Sequence, residues 1–182
     1  MIKHNKGKKY KQFATGLQQP LLDSYIVDFR QSIVLLQDNI DNNVLLKNYR
    51  LELAMKERVA YIDFRKIRNA KDLAEHLLEQ YKQFFNNATD FKLSQDDHYA
   101  VADVLDLFTK VDNKHENIVV WMDNFTDILS LQEHGWLFGL LRGTFQHHQN
   151  IAYVFTSDSK EKVNKIFMNH DNPFLKFARI IQ

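Results

Sequence analysis

The chain has 182 residues, 45% hydrophobic and 26% charged, with no cysteine and a formal net charge of +1. That is enough for one domain with a substantial core, and it excludes disulfides and thiolate metal sites. No apolar run approaches the roughly 18 residues of a membrane span and no signal-peptide core opens the chain, so a soluble protein of the reducing cytoplasm, with no membrane partner, is expected.

The charge is unevenly placed. Lys3, Lys6, Lys8, Lys9 and Lys11 crowd the first 12 residues. Setting those five aside leaves 19 basic against 23 acidic residues, a body near −4. A basic arm over residues 1–20 supplies non-specific nucleic-acid affinity or is simply a solvated terminus. Residues 21–182 read as the folded domain.

In chain order, Ile26, Phe29, Ile33, Leu36 and Ile40 step by three and four, which predicts an amphipathic helix over Leu22–Ile40. Asp23 or Ser24 would cap it, and Asp41-Asn42-Asn43 would turn the chain. Val44-Leu45-Leu46 follows as a short strand, and residues 48–57, rich in helix formers, as a helix. Val59–Ile62 is an apolar run ending at Asp63, the pattern of a strand buried on both faces. Leu73, Leu77, Tyr81 and Phe84 mark a helix over 70–86, and Asn86–Asp97 reads as a loop. Val101, Leu105 and Phe108 mark a helix over 96–111.

Ile118–Met122 is again continuously apolar and ends at Asp123. A carboxylate at the carboxyl end of such a strand lies where open α/β sheets bind ligands; a surface Asp closing a buried strand is the alternative. Trp136, Leu137, Leu140, Leu141 and Phe145 predict a helix over 131–148. Ile151–Phe155 is a further strand, ending in Thr156-Ser157, and Ser159 would cap a helix to about Asn169. Asn172-Pro173 stops it, and Ala178–Ile181 reads as a last strand. Strands alternating with helices predict a three-layer α/β sandwich with a parallel sheet and right-handed crossovers. No repeat, low-complexity segment or second domain is visible.

Other polar groups read as ordinary. His147 and His148 would point about 100° apart on a helix shared with His134, too divergent to chelate one ion, so a solvated or capping role is expected. Asp96-Asp97-His98 suits a helix N-terminus. Ser157 and Ser159 lie in no G-x-S-x-G elbow. Trp121, Phe125 and Trp136 read as core. Arg142 reads as a surface arginine within reach of a phosphate or a partner's acid.

Three ordered pieces, Ile118–Ile128 (IVVWMDNFTDI), Leu141–Ser159 (LRGTFQHHQNIAYVFTSDS) and Ile166–Phe177 (IFMNHDNPFLKF), make the chain from about Phe29 onward resemble the archaeal-type ATPase family. That family is a branch of the P-loop ATPases near the AAA+ and STAND groups. The resemblance implies a P-loop-NTPase-like sheet flanked by helices, with a Walker B segment whose Asp123 would hold magnesium. The departures are specific. The family's catalytic Glu falls at Asn124, an amide that cannot act as a base. Thr126 replaces a Gln, Thr156 a Gly before Ser157, and Leu175 a Tyr.

A Walker A loop needs G-x-x-x-x-G-K-[ST], so that backbone N–H groups wrap the phosphates and a lysine reaches them. The five glycines are Gly7, Gly16, Gly135, Gly139 and Gly143, and the one Gly-Lys pair, Gly7-Lys8, continues into Lys9. By the resemblance the loop would follow Val44-Leu45-Leu46, with Asn48 at its first glycine and Arg50 at its arginine. About ten residues, Asn48 to Glu57, would then separate that strand from the next, too few for a phosphate loop and a crossover helix together. A block of chain would be missing.

The expected function is therefore that of a degenerate ATPase-family domain without ATP hydrolysis and without an assigned catalytic residue, acting as a protein-interaction or oligomerisation module. The implied nucleotide-site remnant is Asn48, Arg50, Asp123, Asn124, Thr156 and Ser157. One alternative is a weak Mg-ATP binder, or an ATPase completed by a partner. Another is nucleic-acid binding through the lysine arm. The family's helical lid and C-terminal domain are expected to be absent, because the sequence ends soon after Ile181.

Overall fold

Ile33, Val34, Leu35 and Leu36 are all buried, the pattern of a strand with cover on both sides. The computed structural model describes residues 19–37, 39–85, 90–132 and 134–181; Lys3, Lys6, Lys8, Lys9 and Lys11 lie outside them, as does most of the expected arm. The stretch read as one helix over Leu22–Ile40 is three pieces. A short helix α1 (Gln19–Asp23) runs on as a π-helical turn (Ser24–Asp28), and strand β1 occupies Ile33–Leu36. The three-and-four spacing misleads because Val34 and Leu35 fill the gap between Ile33 and Leu36, making a run rather than a stripe. Asp23 gives no side-chain cap; its carboxylate accepts the Tyr49 hydroxyl at 2.8 Å instead.

Helix α2 spans Ile40–Ala54, capped by Asn39, whose side chain accepts the Asn42 N–H. Val44-Leu45-Leu46 is therefore helix and not strand: Leu46 faces the core while Val44 faces out. The β1-to-β2 crossover runs from Gln37 to Arg58 and holds a full 15-residue helix, so the ten residues counted from Asn48 to Glu57 are only part of it.

The rest follows the expected order with trimmed ends. Strand β2 (Val59–Asp63) leads to helix α3 (Ala70–Phe84) and helix α4 (Asp97–Asn113), which Asp96 caps. Strand β3 (Ile118–Asp123) is followed by a 3₁₀ turn over Phe125–Ser130, and then by helix α5 (His134–Phe145). Strand β4 (Ile151–Ser157), helix α6 (Lys160–Phe167), capped by Ser159, and strand β5 (Arg179–Ile181) complete it. Because α5 ends at Phe145, His147 and His148 lie beyond it. His148 sits between the Tyr153 hydroxyl (2.6 Å) and Thr109 Oγ1 (2.9 Å), and burial lowers its pKa.

The described strands form one parallel sheet in the order β2-β3-β4-β1-β5. Alternate residues go to opposite faces. Ile33, Leu35, Val119, Trp121 and Val154 pack under α1 and α2. Val34, Leu36, Val120, Met122 and Phe155 pack under the layer of α3 to α6. In that second layer Phe125 contacts Phe64, Phe155 and Phe174, with centroids 4.6–5.5 Å apart. The three-layer α/β sandwich is as expected. Among the described residues no helix is long and apolar enough to cross a membrane.

Candidate functional site

A parallel sheet brings the carboxyl ends of its strands to one edge, where side chains from separate strands meet. Here they meet at Asp123. Among the described residues three uncharged side chains donate to it. Gln37 Nε2, just past β1, reaches Oδ1 at 3.0 Å. The Tyr61 hydroxyl, from β2, reaches Oδ2 at 3.0 Å. Thr156 Oγ1, from β4, donates a short bond to Oδ1. Burial first, then the charge and bond of Asp123, push the Tyr61 pKa up to about 12.

Beside it Asp63 closes β2 as Asp123 closes β3, the two paired in register. Arg65 clasps Asp63 with Nε to Oδ1 at 2.9 Å and Nη2 to Oδ2 at 2.8 Å, a two-pronged charge-assisted pair. Burial pushes the Asp63 carboxyl up, but the bonds from Arg65 and Asn124 outweigh it and hold the pKa below the usual carboxylate range. Bonding to Asp63 likewise holds Arg65 further above its ordinary value.

Asn124 follows Asp123 in the left-handed region, φ 52° and ψ 38°, which Asn tolerates better than most side chains. That bend aims its backbone N–H at Thr156 Oγ1 (3.0 Å) and its amide at Asp63 Oδ1 (3.4 Å). Behind it the buried hydroxyls of Thr126 and Ser157 bond each other at 2.8 Å. The edge is thus one connected polar network over four strands.

Next to the network lies a cleft of about 200 Å³ whose walls include Lys47, Arg50, Tyr61, Arg65 and Asp123. The Arg50 guanidinium sits 3.8 Å from the Tyr61 ring centroid, a cation–π contact. Three cations against the Asp123 and Asp63 carboxylates leave the cleft on balance cationic.

No protein-family model matches the chain, and no curated protein does. Solved structures do. The Walker-type ATPase PABY2304 of Pyrococcus abyssi superposes with a TM-score of 0.64 at 13% identity, over 95% of this chain and 55% of that one. Cdc6p from Pyrobaculum aerophilum gives 0.61 at 12% identity, over 90% and 44%. A chain from the structure of Drosophila ORC bound to GC-rich DNA and Cdc6 gives 0.60 at 12%, over 89% and 52%. The fold is that of the P-loop NTPases. The chain spans about half the length of these proteins.

A phosphate loop in this fold joins a strand to a helix. The strand-to-helix joint beside Asp123 runs from Leu36 to Ile40, and of its residues Asp38 lies outside the described ones. Asn48, expected on a loop after a strand, is instead exposed in the middle of α2 and does not line the cleft. Arg50 does line it, from the helix rather than from a loop. Asp123, Asn124, Thr156 and Ser157 lie together at the carboxyl ends of β3 and β4. Among the described residues no three His, Asp or Glu side chains gather as a metal-binding group; around Asp123 the neighbours are amide, phenol and hydroxyl.

Sequence reasoning missed Gln37, Tyr61, Asp63, Arg65 and Lys47. Asp63 had a signal, since it ends its apolar run as Asp123 does. Gln37 had none once β1 was read as helix. Arg142 is neither free nor at the site: it lies 4.6 Å over the Phe177 ring and bonds Gln146.

Proposed function

We propose that this chain is a P-loop-NTPase-like domain that does not hydrolyse ATP and works through its surfaces, as an oligomerisation or protein-interaction module. One observation carries the reading: the acid at the end of β3 is engaged by three neutral side chains, one of them Gln37 from the joint where a phosphate loop would stand. The sequence supports it independently, having no G-x-x-x-x-G-K-[ST] and an amide, Asn124, after the acid. Phosphoryl transfer is nearly all positioning and charge stabilisation, so losing both the cradle and the carboxylate removes most of what the fold supplies. A malachite-green assay with Mg-ATP is expected to give only background; turnover near 1 per second, about typical for enzymes, overturns the reading.

The cationic cleft favours a second reading, a weak nucleotide binder that holds phosphates with Lys47, Arg50 and Arg65. The ORC2 protein of Aeropyrum pernix, of similar fold, was solved in ADPNP-ADP complexes. Calorimetric titration with ATP and magnesium separates the two: no heat up to millimolar nucleotide removes this one. Nucleic-acid binding by the lysine arm is a third, supported by the DNA-bound Drosophila ORC neighbour. It requires affinity that falls steeply with salt and is lost on deleting residues 1–12.

A further inference from the structure

The turn between α5 and β4, residues 146–150, is held to the end of α4 by two groups. Asp112, buried on α4, accepts the backbone N–H groups of Gln149 (2.9 Å) and Asn150 (2.6 Å). His148 makes the second tie. Its Nε2 lies 2.9 Å from Thr109 Oγ1 on α4, and its Nδ1 lies 2.6 Å from the Tyr153 hydroxyl on β4. The Asn150 carbonyl then accepts the Ile118 N–H at 3.3 Å, so the turn also joins the amino ends of β3 and β4. The Asp123 network lies at the other end of these strands.

Only one arrangement of protons uses every donor. Thr109 has a single hydroxyl hydrogen and points it at the Leu105 carbonyl, 3.1 Å away. Nε2 therefore carries a hydrogen and donates to Thr109, which leaves Nδ1 as a lone pair that accepts the Tyr153 O–H. Tyr153 is buried against the rings of Phe145, Phe155 and Phe177, and among the described residues its hydroxyl has no other partner. A second proton on His148 must go to Nδ1. That turns the bond round and leaves the Tyr153 hydrogen buried without an acceptor, an unfavourable outcome.

We propose that His148 is a proton-operated latch: neutral, it pins residues 146–150 to α4, and its protonation in mild acid releases that turn and the start of β4. The charges around the ring agree. Asp112 on α4 favours the cation and His147 in the turn opposes it, but burial outweighs both and lowers the His148 pKa. From α5 and the segment before β5 come the Phe145 and Phe177 rings, with the Arg142 guanidinium over Phe177. His115 is a further imidazole near the turn, its Nδ1 3.5 Å from the Asn150 amide nitrogen. Because the folded pKa is depressed, the stabilisation is complete above the unfolded value of about 6.5 and is lost as pH falls through the folded one. The latch works whether or not the chain hydrolyses ATP.

Long-range proton–nitrogen spectra of the full chain read the tautomer and proton count of each imidazole. His148 is expected in the Nε2–H form at pH 7.5, with a titration midpoint below the ordinary value. Hydrogen exchange, corrected for its intrinsic rate, is expected to show protection of the Gln149 and Asn150 amides falling by about tenfold or more from pH 7.5 to pH 5. The Asn124 amide, bonded to Thr156 at the far end of the strands, keeps its protection. His148→Gln cannot take a proton and abolishes the fall, whereas His147→Gln, at an exposed position, retains it. An Nδ1–H tautomer, or a His148 midpoint at or above the ordinary value, overturns the latch, and neither reading depends on a variant that folds. A fall in protection that persists in His148→Gln assigns the change to Asp112 and also overturns it.

Discussion

The Gln37 side-chain amide donates to Asp123 across 3.0 Å, joining residues 86 apart in the chain. The bond ties the joint after β1 to the acid at the end of β3, and both partners are largely withdrawn from water. Gln37→Leu keeps the volume but leaves a carboxylate oxygen one donor short, an expected loss of about 1–2 kcal/mol in urea unfolding. Gln37→Glu is expected to be worse at pH 7 than at pH 5. Two carboxylates sharing one place raise their folded pKa, so the variant loses stability as pH rises. A variant equally stable at both pH values counts against the contact.

Asp63 sets an acid limit. Its folded pKa lies below the unfolded value, so its stabilisation is complete above the unfolded pKa of about 3.9 and fades as pH falls below it. Denaturation followed from pH 5 to pH 2 is expected to show this loss, with a shallower slope in Asp63→Asn. Arg65→Met removes the clasp and raises the folded Asp63 pKa toward or above the unfolded value, so stability falls at neutral pH and the further loss on acidification shrinks or reverses.

Tyr61 behaves in the opposite sense. With its pKa pushed up to about 12, the phenol is favoured in the fold, and the stabilisation holds below pH of about 10 and is lost between there and 12. Ultraviolet titration of the phenolate band is expected to lose one late-titrating tyrosine in Tyr61→Phe, at a cost of about 1 kcal/mol at neutral pH. Tyr61→Ala also frees Arg50 from its stacking and costs more.

Phe174 anchors the segment before β5. It is fully buried, packed with Phe125, Phe155 and Phe167 at 5.5–5.8 Å between centroids. Phe174→Ala is expected to cost about 3–5 kcal/mol, read as a large fall in melting temperature. A small change would mean that the C-terminal segment is not pinned to the second layer.

What the sequence by itself determined was the far half of the sheet and its caps. Val59–Asp63 and Ile118–Asp123 could be read because an unbroken apolar run closed by an acid suits a strand covered on both faces, whatever covers it. Asn124, the absent glycine loop, and the caps Asp96 and Ser159 are equally local facts. Only the tertiary structure decided β1 and α2. Ile33–Leu36 shares its residues with a helical spacing, and α2 is apolar on opposite faces, so neither shows the one-sided pattern that names an element. The Asp123 network and the cationic cleft were hidden for the same reason: Gln37, Tyr61, Arg65 and Thr156 become neighbours only when parallel strands from distant stretches end at one edge.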